Sequence, residues 1–511
     1  MRQQERESGI AVLGGGPAGL TAGLILGLRG AEGAVFEAED SVGGLAKTVE
    51  VDGYRFDLGG HRFFTKLQPV ADLWEAVLGD QFLVRPRLSR IFFDGRYFAY
   101  PLQARDVPSR LGFFESVLCV ASYAAASLRR DGTPETFEEW VCSRFGRRLY
   151  NAFFRSYTEK IWGVPGSEIR SEWAAQRIKD FSLRRAVTAM VGLGGAGRPT
   201  TLIEEFSYPR LGPGQMWDAF SGLAQAHGVP VELGHRCTGL THRDGRIESV
   251  RFEVDGNEFE RDVDGVVSTL PLNDLVLGLE PQAPAPVRAA ARRLRYRDLC
   301  LVALMLDQPD PFPDNWIYLH DPSTRAGRVQ NFGAWSEDMV PPGTGCLGVE
   351  YFCFEGDDIW EMSDEECVEL ATAELARIGL IDPSRVTGGA KVRIRKAYPM
   401  YDSAYVEAVE EIRTYLAGFS NLQLCGRNGL HRYNNQDHSM WTAALATMNL
   451  LDGTEHDVWS VNTEDEYHET GERVAVEFGI AASSEEFLPK VAQLPLARPE
   501  QRTPTTLVES A

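Results

Sequence analysis

The first structural signal in this chain is one glycine-rich segment near its start, Gly9-Ile10-Ala11-Val12-Leu13-Gly14-Gly15-Gly16-Pro17-Ala18-Gly19-Leu20. The apolar run Ile10 to Leu13 predicts a short buried strand, and Ala18 to Leu28 is predicted to form the helix after it. Between them three glycines follow the spacing G-x-G-x-x-G, namely Gly14, Gly16 and Gly19. The first allows a tight turn, the second lets the backbone approach a pyrophosphate, and the third lets helix and strand pack closely. The segment therefore predicts a strand, turn and helix that bind a dinucleotide.

An acidic residue follows at the separation expected for contact with a ribose. The second predicted strand, Ala34 to Phe36, ends at Glu37. Glu37 lies about 20 residues beyond Gly16, which is typical of the carboxylate that binds ribose hydroxyls. Glu37 therefore supports a dinucleotide site, and the alternative is a glycine-rich turn with a glutamate on the surface.

Length and charge limit the class of protein. A chain of 511 residues is too long for one ordinary core, so two or more domains are expected. The net charge of −21 argues against nucleic acid or an anionic membrane as the main partner. It leaves room for a phosphorylated substrate, because a local basic pocket can exist inside an acidic shell.

Cysteine usage and the absence of long apolar runs predict a cytoplasmic protein. The eight cysteines are scattered, without a CxxC pair or a His/Cys cluster at metal-binding spacing, so reduced thiols and no metal site are expected. The first eight residues are charged and show no signal peptide. The longest apolar region, Val117 to Leu128, falls short of the roughly 20 residues that span a bilayer, so no membrane span is expected.

Two more glycine pairs follow Glu37. The doublet Gly43-Gly44 is not required in NAD sites, but it is a recurring second contact in flavoproteins with two dinucleotide-binding domains, so this resemblance favours FAD. The second pair, in Gly59-Gly60-His61, follows the strand-like run Tyr54 to Asp57. Paired glycines allow the backbone to lie against a flat ring, with His61 near it. A turn that holds a hydrogen-bonded histidine is the alternative.

The pattern along the chain predicts several units. The expected FAD-binding domain is assembled from residues 1–68, 208–291 and 397–460. A helical insertion is expected at 69–207, with helices at Pro69–Leu78, Leu111–Leu128, Glu135–Phe145 and Leu149–Tyr157, and with a mobile loop at Gly192–Thr201. A β-rich substrate domain is expected at 292–396, and residues 461–511 are expected to form a disordered tail.

Three further stretches carry candidate site residues. Residues 153–163 are rich in aromatic and charged side chains, which suits either a polar cleft or ordinary core packing. Two basic clusters, at 292–297 and 393–396, are candidates for phosphate recognition or plain solvated faces. A polar run after Gly426 precedes a buried helix predicted at Met440 to Leu451, and a helix start offers backbone donors to a ring edge or a phosphate.

Together these motifs resemble the flavoprotein superfamily of UDP-galactopyranose mutase, protoporphyrinogen oxidase and the amine oxidases, over roughly Ile10 to Leu451. The resemblance implies an α/β, Rossmann-like two-dinucleotide-binding-domain flavoprotein with a helical insertion and a mixed α/β substrate domain, and FAD as its cofactor. The residues expected to bind FAD are Gly14, Gly16, Ala18, Gly19, Glu37, Gly43, Gly44, Leu45, Gly60, His61, Cys237, Gly426, Arg427, Asn435, Gln436 and Asp437.

Two patches are similar to the mutase branch in particular. Residues 157–163 are similar to its Tyr-Thr-x-Lys-x-Trp-Gly helix end, and residues 426–437 to its Gly-Arg…Tyr-x-Tyr-x-Asp-Met-Asp element. The similarity implies that Arg427 and Asp437 contact the isoalloxazine and the ribityl chain. The residues predicted to contact the substrate or to act in catalysis are His61, Tyr157, Trp162, Arg177, Arg297, Arg427, His431 and Tyr433.

This chain also departs from the mutase pattern. The mutase has an Arg-x-Pro-x-Arg run where this chain has Arg177-Ile178-Lys179-Asp180, and His431 replaces a usual tyrosine. Asn435-Gln436 replaces Asp-Met, while Tyr398-Pro399-Met400-Tyr401 resembles the oxidase branch. The resemblance therefore supports the predicted fold and the FAD cofactor more strongly than it supports a particular substrate or reaction.

Three functions follow from the resemblance. In the first, favoured by the polar aromatics and basic clusters, reduced flavin N5 attacks the anomeric carbon of a nucleotide sugar, and Arg177, Arg297 or Arg427 stabilises the departing diphosphate. This isomerase would need an external flavin reductant and consume no net electrons. In the second, oxidised flavin takes hydride from a C–N or C–C bond, and an amine substrate would need a small aromatic cage. In the third, a non-catalytic flavin protein would have a closed flavin face.

Overall fold

The glycine-rich segment folds as its spacing predicts. In the computed structural model strand β1 spans Ile10–Leu13 and helix α1 spans Pro17–Leu28. The structure describes residues 9–100, 113–128, 134–171 and 205–462. The predictions for Arg177, for the loop 192–201 and for the tail from residue 463 lie outside these ranges.

The described part of the chain contains strands distributed over most of its length. They are β1 (Ile10–Leu13), β2 (Gly33–Phe36), β3 (Thr48–Val51), β4 (Tyr54–Asp57), β5 (Phe82–Pro86), β6 (Ser89–Phe93), β7 (Arg96–Ala99), β8 (Glu205–Pro209), β9 (Val231–Glu232), β10 (Arg236–Arg243), β11 (Arg246–Val254), β12 (Asn257–Asp262), β13 (Gly265–Ser268), β14 (Leu279–Glu280), β15 (Tyr296–Leu306), β16 (Trp316–Leu319), β17 (Arg328–Asn331), β18 (Gly345–Cys353), β19 (Val386–Pro399) and β20 (Leu422–Leu424).

Helices alternate with these strands. They are α1 (Pro17–Leu28), α2 (Gln68–Leu78), α3 (Phe113–Leu128), α4 (Phe137–Phe145), α5 (Arg155–Trp162), α6 (Gly214–Ala226), α7 (Leu272–Leu277), α8 (Ala285–Arg293), α9 (Phe332–Trp335), α10 (Asp358–Glu361), α11 (Asp364–Arg377), α12 (Tyr405–Leu416), α13 (Gly426–Gly429) and α14 (Gln436–Asp452). A π-helical turn at Tyr150–Phe154 leads into α5. Within the described ranges no helix combines the length and the apolar character that crossing a bilayer requires.

A five-stranded parallel sheet unites distant parts of the chain. Its strand order is β20-β13-β1-β2-β9, and every neighbouring pair is parallel. Helices α1 and α14 pack against each other beside it. Because the strands are parallel, the carboxyl ends of β1, β13 and β20 lie at one edge, where ligands bind in open α/β sheets.

Two larger sheets complete the architecture. The antiparallel strands β10, β11 and β12 form a four-stranded sheet with β14, in the order β12-β11-β10-β14. A seven-stranded sheet has the order β19-β15-β18-β17-β16-β6-β7, and its strand β15 is buried at every residue.

The predicted helical insertion is only partly helical. Strands β5, β6 and β7 lie between its helices, and β6 and β7 extend the seven-stranded sheet. These strands have four or five residues each, too few to show a clear alternation beside the longer helical patterns. Their aromatic and β-branched residues favour strands once a sheet edge is available.

A buried hydrogen-bonded carboxylate joins β4 to β8. The hydroxyl of Tyr208 donates to Asp57 Oδ2 at 2.6 Å, and Thr48 Oγ1 donates to Oδ1 at 3.3 Å. Neither Asp57 nor Tyr208 is exposed. Burial raises the pKa of Asp57 well above 3.8, although both hydroxyl donors act in the opposite direction. Loss of a hydroxyl that donates to Asp57 should therefore lower the stability of the folded protein at neutral pH.

The variant Tyr208→Phe tests this pair. It should lower the free energy of unfolding by about 1–3 kcal/mol at pH 7, because the buried carboxylate loses a donor. The raised pKa of Asp57 means that ionisation opposes folding above the ordinary value of 3.8, so the loss should shrink as the pH falls toward 3.8. Urea unfolding at pH 7 and pH 5 measures both effects. Tyr415→Phe is the control, and a loss that grows in acid would contradict the prediction.

Candidate functional site

The opening glycine turn and the closing polar segment meet at one sheet edge. Gly14 follows β1, Thr269 follows β13, and Gly426 comes shortly after β20. A Cβ built on Gly426 would lie 3.0 Å from the Cβ of Ala18, and Gly426 has a φ of +81°. Thr269 Oγ1 donates to the carbonyl of Leu13 at 2.7 Å. Two motifs from opposite ends of the chain therefore form one surface.

The glycine doublet packs directly against the first glycine turn. The amide of Gly43 donates to the carbonyl of Gly15 at 2.9 Å. A Cβ built on Gly44 would lie 3.2 Å from the Cα of Gly16, and one on Gly19 would lie 1.8 Å from the carbonyl oxygen of Gly14. Helix α1 has no side-chain cap at Gly16, so its first amides can donate to a ligand. This backbone cradle fits the pyrophosphate of a dinucleotide.

The carboxylate of Glu37 is held beside this cradle. Its Oε2 accepts from the amide of Gly15 at 2.6 Å and its Oε1 from the amide of Glu39 at 2.9 Å. Burial raises the pKa of Glu37, and the two amides oppose that rise. Each oxygen keeps a lone pair, so the group can still accept from a ribose hydroxyl.

The predicted contact residue Cys237 lies on β10, which begins close to this acid in the fold. The amide of His235 donates to the carbonyl of Glu37 at 2.7 Å, which places the start of β10 next to Glu37. Burial raises the pKa of the Cys237 thiol to about 11, so the side chain is neutral at physiological pH.

The start of α14 offers an unsatisfied buried carboxylate. Asp437 is 1% exposed, and neither of its carboxylate oxygens has a hydrogen-bond partner within the described ranges. A buried carboxylate in this state is costly unless a donor reaches it. Hydroxyl or ring N–H donors of a flavin would satisfy it, so this residue fits the predicted cofactor.

The two residues before Asp437 are partly engaged elsewhere. Gln436 Oε1 accepts from the indole N–H of Trp217 at 3.0 Å, which ties α14 to α6. The amide of Asn435 donates to His438 Nδ1 at 3.3 Å. These bonds leave the side-chain NH2 group of Gln436 as the part of that residue that a cofactor contact would use, while Asn435 and His438 form a capping box at the start of α14.

A second group of residues lies on the seven-stranded sheet. Arg328 and Gln330 project from the same face of β17, and Glu350 lies opposite Arg328 on β18. Arg328 donates through Nε and Nη2 to Glu350 Oε2, at 2.9 and 2.6 Å, and Gln330 Nε2 donates to Oε1. The Glu350 side chain has no exposure, so its charge is paired inside the protein.

Aromatic side chains and another arginine surround this ion pair. The rings of Tyr398 and Tyr433 stack with centroids 5.6 Å apart and planes at 8°. The Arg427 guanidinium lies 4.6 Å from the Tyr433 ring centroid and donates to the carbonyls of Asn434 and Ala397, at 2.9 and 3.0 Å. Burial raises the pKa of Tyr398, which also senses the charges of both arginines.

Two predicted residues join the same group. Burial, Arg427 and Arg328 together lower the pKa of His61 to about 3, so His61 is neutral at physiological pH. Its Nδ1 has no hydrogen-bond partner within the described ranges. Burial also raises the pKa of Tyr157, and Arg328 opposes that rise. We call this set the arginine-tyrosine cluster; it consists of His61, Tyr157, Arg328, Gln330, Glu350, Tyr398, Arg427 and Tyr433.

The structure places His431 in a buried position. Its side chain is fully buried, and the ring packs against Tyr296 and Tyr405, with centroids 4.7 and 5.8 Å away. Burial lowers its pKa to about 4, and Nε2 lies 3.3 Å from the carbonyl of Met400. Its Nδ1 has no hydrogen-bond partner within the described ranges, and the contact of His431 with a reacting sugar stays a prediction.

The basic residue Arg297 is also a packing residue. Its Nε donates to the carbonyl of Ile161 at 3.0 Å, its Nη2 to that of Phe352 at 2.8 Å, and its side chain lies over the Phe354 ring. Burial lowers its pKa. This guanidinium joins α5 to β18 through Nε and Nη2, and its contact with a substrate stays a prediction. Trp162 is 4% exposed and meets Tyr398 edge-on, so it lies behind that tyrosine.

The second predicted phosphate-binding cluster, at 393–396, is engaged in the same way. Arg393 donates to the carbonyl of Trp360, Arg395 pairs with Glu355, and Lys396 pairs with Asp274. Arg328 and Glu350, which sequence reasoning missed, carry the arginine-tyrosine cluster instead. The available signal was a glutamate inside the otherwise uncharged strand Gly345–Cys353.

Comparison with known proteins places the chain among flavoenzymes. It matches the family described as "Flavin containing amine oxidoreductase" over residues 17–426. A curated relative named "Probable UDP-galactopyranose mutase", from Klebsiella pneumoniae, is 27% identical over 171 residues, which is 31% of this chain. The match spans 42% of the length of that relative.

Solved structures confirm the predicted fold class. A reduced UDP-galactopyranose mutase superposes with a TM-score of 0.78 at 23% identity, covering 89% of this chain and 99% of the other. A variant of putrescine oxidase superposes with a TM-score of 0.60 at 16% identity, covering 87% and 99%. At these identities the likeness concerns the fold. With the family match, it identifies the chain as an FAD-dependent enzyme.

The variant Glu37→Ala tests the assignment of the ribose contact. It should weaken FAD binding about tenfold to a hundredfold, since a hydrogen bond to a charged group contributes about 1.5–3 kcal/mol. Flavin absorbance per protein after identical purification measures the loss. Glu39→Ala is the control, because that exposed side chain pairs with Lys47 instead. Full flavin content in the Glu37 variant would refute the assignment.

Proposed function

The chain belongs to the family of flavin-containing amine oxidoreductases, and we propose that within this family it is an FAD-dependent isomerase. Its substrate would be a nucleotide sugar, and the reaction would consume no net electrons. The proposed reaction is similar to that of a UDP-galactopyranose mutase, the activity named for the curated relative and for one structural neighbour. An external reductant of the flavin is part of this proposal.

The convergence of two guanidinium groups supports it best. The Arg427 guanidinium lies 5.7 Å from the Tyr398 ring centroid, and the charges of Arg328 and Arg427 both act on the pKa of His61 and of Tyr398. Within the described ranges, no hydrogen bond occupies Nη1 of Arg328 or Nη2 of Arg427. Planar guanidinium groups bind phosphate oxygens well. A diphosphate leaving group would find two preorganised cations here.

The remaining residues of the cluster would orient the sugar. Bound FAD in its reduced form supplies the nucleophile for the anomeric carbon. Tyr157 and Tyr398 keep their protons because burial raises the pKa of each hydroxyl. They can therefore donate to sugar hydroxyls or phosphate oxygens. The neutral His61 can accept or donate without adding a third positive charge. Arg177 remains a predicted diphosphate contact.

An amine oxidase is the alternative, and the aromatic pair bears on it. Tyr398 and Tyr433 are parallel, as in an aromatic cage, but with centroids 5.6 Å apart the rings touch each other and admit no substrate between them. The Arg427 guanidinium lies over Tyr433, where a protonated amine would otherwise bind. A cationic substrate would be repelled there, whereas a diphosphate would be attracted.

An assay of the holoenzyme under two redox conditions tests the proposed reaction. With dithionite-reduced flavin and no oxygen, the enzyme should interconvert the sugar ring forms of a nucleotide sugar, with UDP-galactopyranose as the first probe. With oxidised flavin it should be inactive, because the nucleophile is then absent. Product analysis and an oxygen electrode measure the two activities. Oxygen uptake with putrescine or another amine would contradict the isomerase and support an oxidase.

The variant Arg328→Lys tests the diphosphate contact. A lysine keeps the positive charge, but it lacks the planar guanidinium group whose several N–H donors can bond Glu350 and a phosphate at the same time. The value of kcat/KM should therefore fall at least about tenfold. Steady-state kinetics of the reduced enzyme measure the change. Arg325→Lys is the matched control, because this exposed arginine three positions earlier pairs with Asp358. Equal kcat/KM values for both variants would exclude Arg328 as a substrate contact.

A further inference from the structure

A loop held by a buried lysine leads directly into Arg328. This loop, residues 320–327, connects β16 to β17. Lys160 Nζ, on α5, donates to the carbonyls of Leu319, Asp321 and Ala326, at 2.8, 3.0 and 3.1 Å, and to Thr324 Oγ1 at 3.2 Å. The ammonium group therefore gathers oxygens from both ends of the loop.

A buried carboxylate holds the same loop from the opposite side. Glu374, on α11, accepts from the amide of Arg325 at 2.6 Å through Oε1. Its Oε2 accepts from the amide of Ala326 at 3.1 Å and from the hydroxyl of Tyr351 at 3.2 Å. Only 3% of Glu374 is exposed. The loop carbonyls thus face a cation and its amides face an anion, which satisfies backbone groups that water cannot reach.

The loop also supports the ring of Tyr157. His320 stacks on that ring, with centroids 4.0 Å apart and planes at 12°. Its Nδ1 donates to the carbonyl of Phe153 at 2.8 Å, and Ser156 Oγ donates to the carbonyl of His320 at 3.2 Å. Burial lowers the pKa of His320 to about 3, so the stacked ring is neutral. One loop therefore sets the position of two members of the arginine-tyrosine cluster.

We propose that Lys160 and Glu374 are positioning residues that hold the 320–327 loop so that Arg328 and Tyr157 present a fixed binding geometry to a nucleoside diphosphate. The inference rests on the proposed function for the identity of the ligand. Neither residue is placed in contact with substrate. Small displacements of binding groups strongly reduce affinity and rate, so a less firmly held loop should weaken ligand binding at the arginine-tyrosine cluster.

The variant Lys160→Met tests this inference against a matched control. Lys391→Met removes another buried lysine, whose Nζ donates to the carbonyls of Ile359, Trp360 and Met362. Binding of UDP to the holoenzyme is measured by calorimetry, and hydrogen exchange of peptides covering residues 319–328 is measured without ligand. Flavin content and melting temperature report the folding of both variants.

Lys160→Met should raise the Kd for UDP about tenfold to a hundredfold and accelerate exchange in the loop, with FAD content unchanged. Lys391→Met should leave the Kd and the loop exchange at wild-type values even where its melting temperature falls. Glu374→Gln, which keeps the shape of the side chain, provides the second variant should Lys160→Met fail to fold, and it should show the same two effects.

The two readouts separate the outcomes. If wild-type enzyme does not bind UDP, the proposed function fails, and the exchange data still decide whether these residues hold the loop. Loop exchange at the wild-type rate in both Lys160→Met and Glu374→Gln would overturn the inference. An equal loss of UDP affinity in Lys391→Met would also overturn it, because the effect would then reflect general destabilisation.

Discussion

The parallel pairing of β13 with both β1 and β20 is the constraint on which the rest of the molecule depends. Parallel strands end at the same edge, so this pairing brings the turn after β1 to the segment after β20. A side chain at Gly426 would crowd Ala18 and would have to adopt a φ of +81°, which residues with side chains rarely do. The first amides of α1, the carboxylate of Glu37 and the buried Asp437 then belong to one elongated site, as a dinucleotide requires.

The arginine-tyrosine cluster, which we propose binds the substrate, depends on the second large sheet. The seven-stranded sheet places the buried Glu350 opposite Arg328, and this carboxylate orients the guanidinium before any ligand arrives. A cation held by a buried partner undergoes little reorganisation when a phosphate binds, which favours catalysis. Arg427 reaches the same cluster from the segment after β20, so the cluster joins the two sheets.

Sequence reasoning succeeded where the signal was local. The spacing of Gly14, Gly16 and Gly19 specifies a turn within a few residues, and the structure contains the predicted strand and helix on either side. Arg328 and Glu350 were missed because their pairing depends on the register between two strands. His431 was assigned by analogy with a tyrosine, and its burial beside Tyr296 and Tyr405 was not predicted. Arg297 shows that clustered basic residues do not by themselves predict exposure to an anion.

The fold alone does not choose between isomerase and oxidase chemistry, because both kinds of enzyme share it with this chain. The choice depends on the charges near the aromatic pair. An amine site needs an open gap between rings and a negative or neutral environment for a cation. Here Tyr398 and Tyr433 are in contact, and Arg427 lies against the pair. Within the described ranges Arg427 bonds to backbone carbonyls and Glu350 holds Arg328 in place, so both guanidinium groups are oriented toward this cluster, and this favours a diphosphate-bearing substrate.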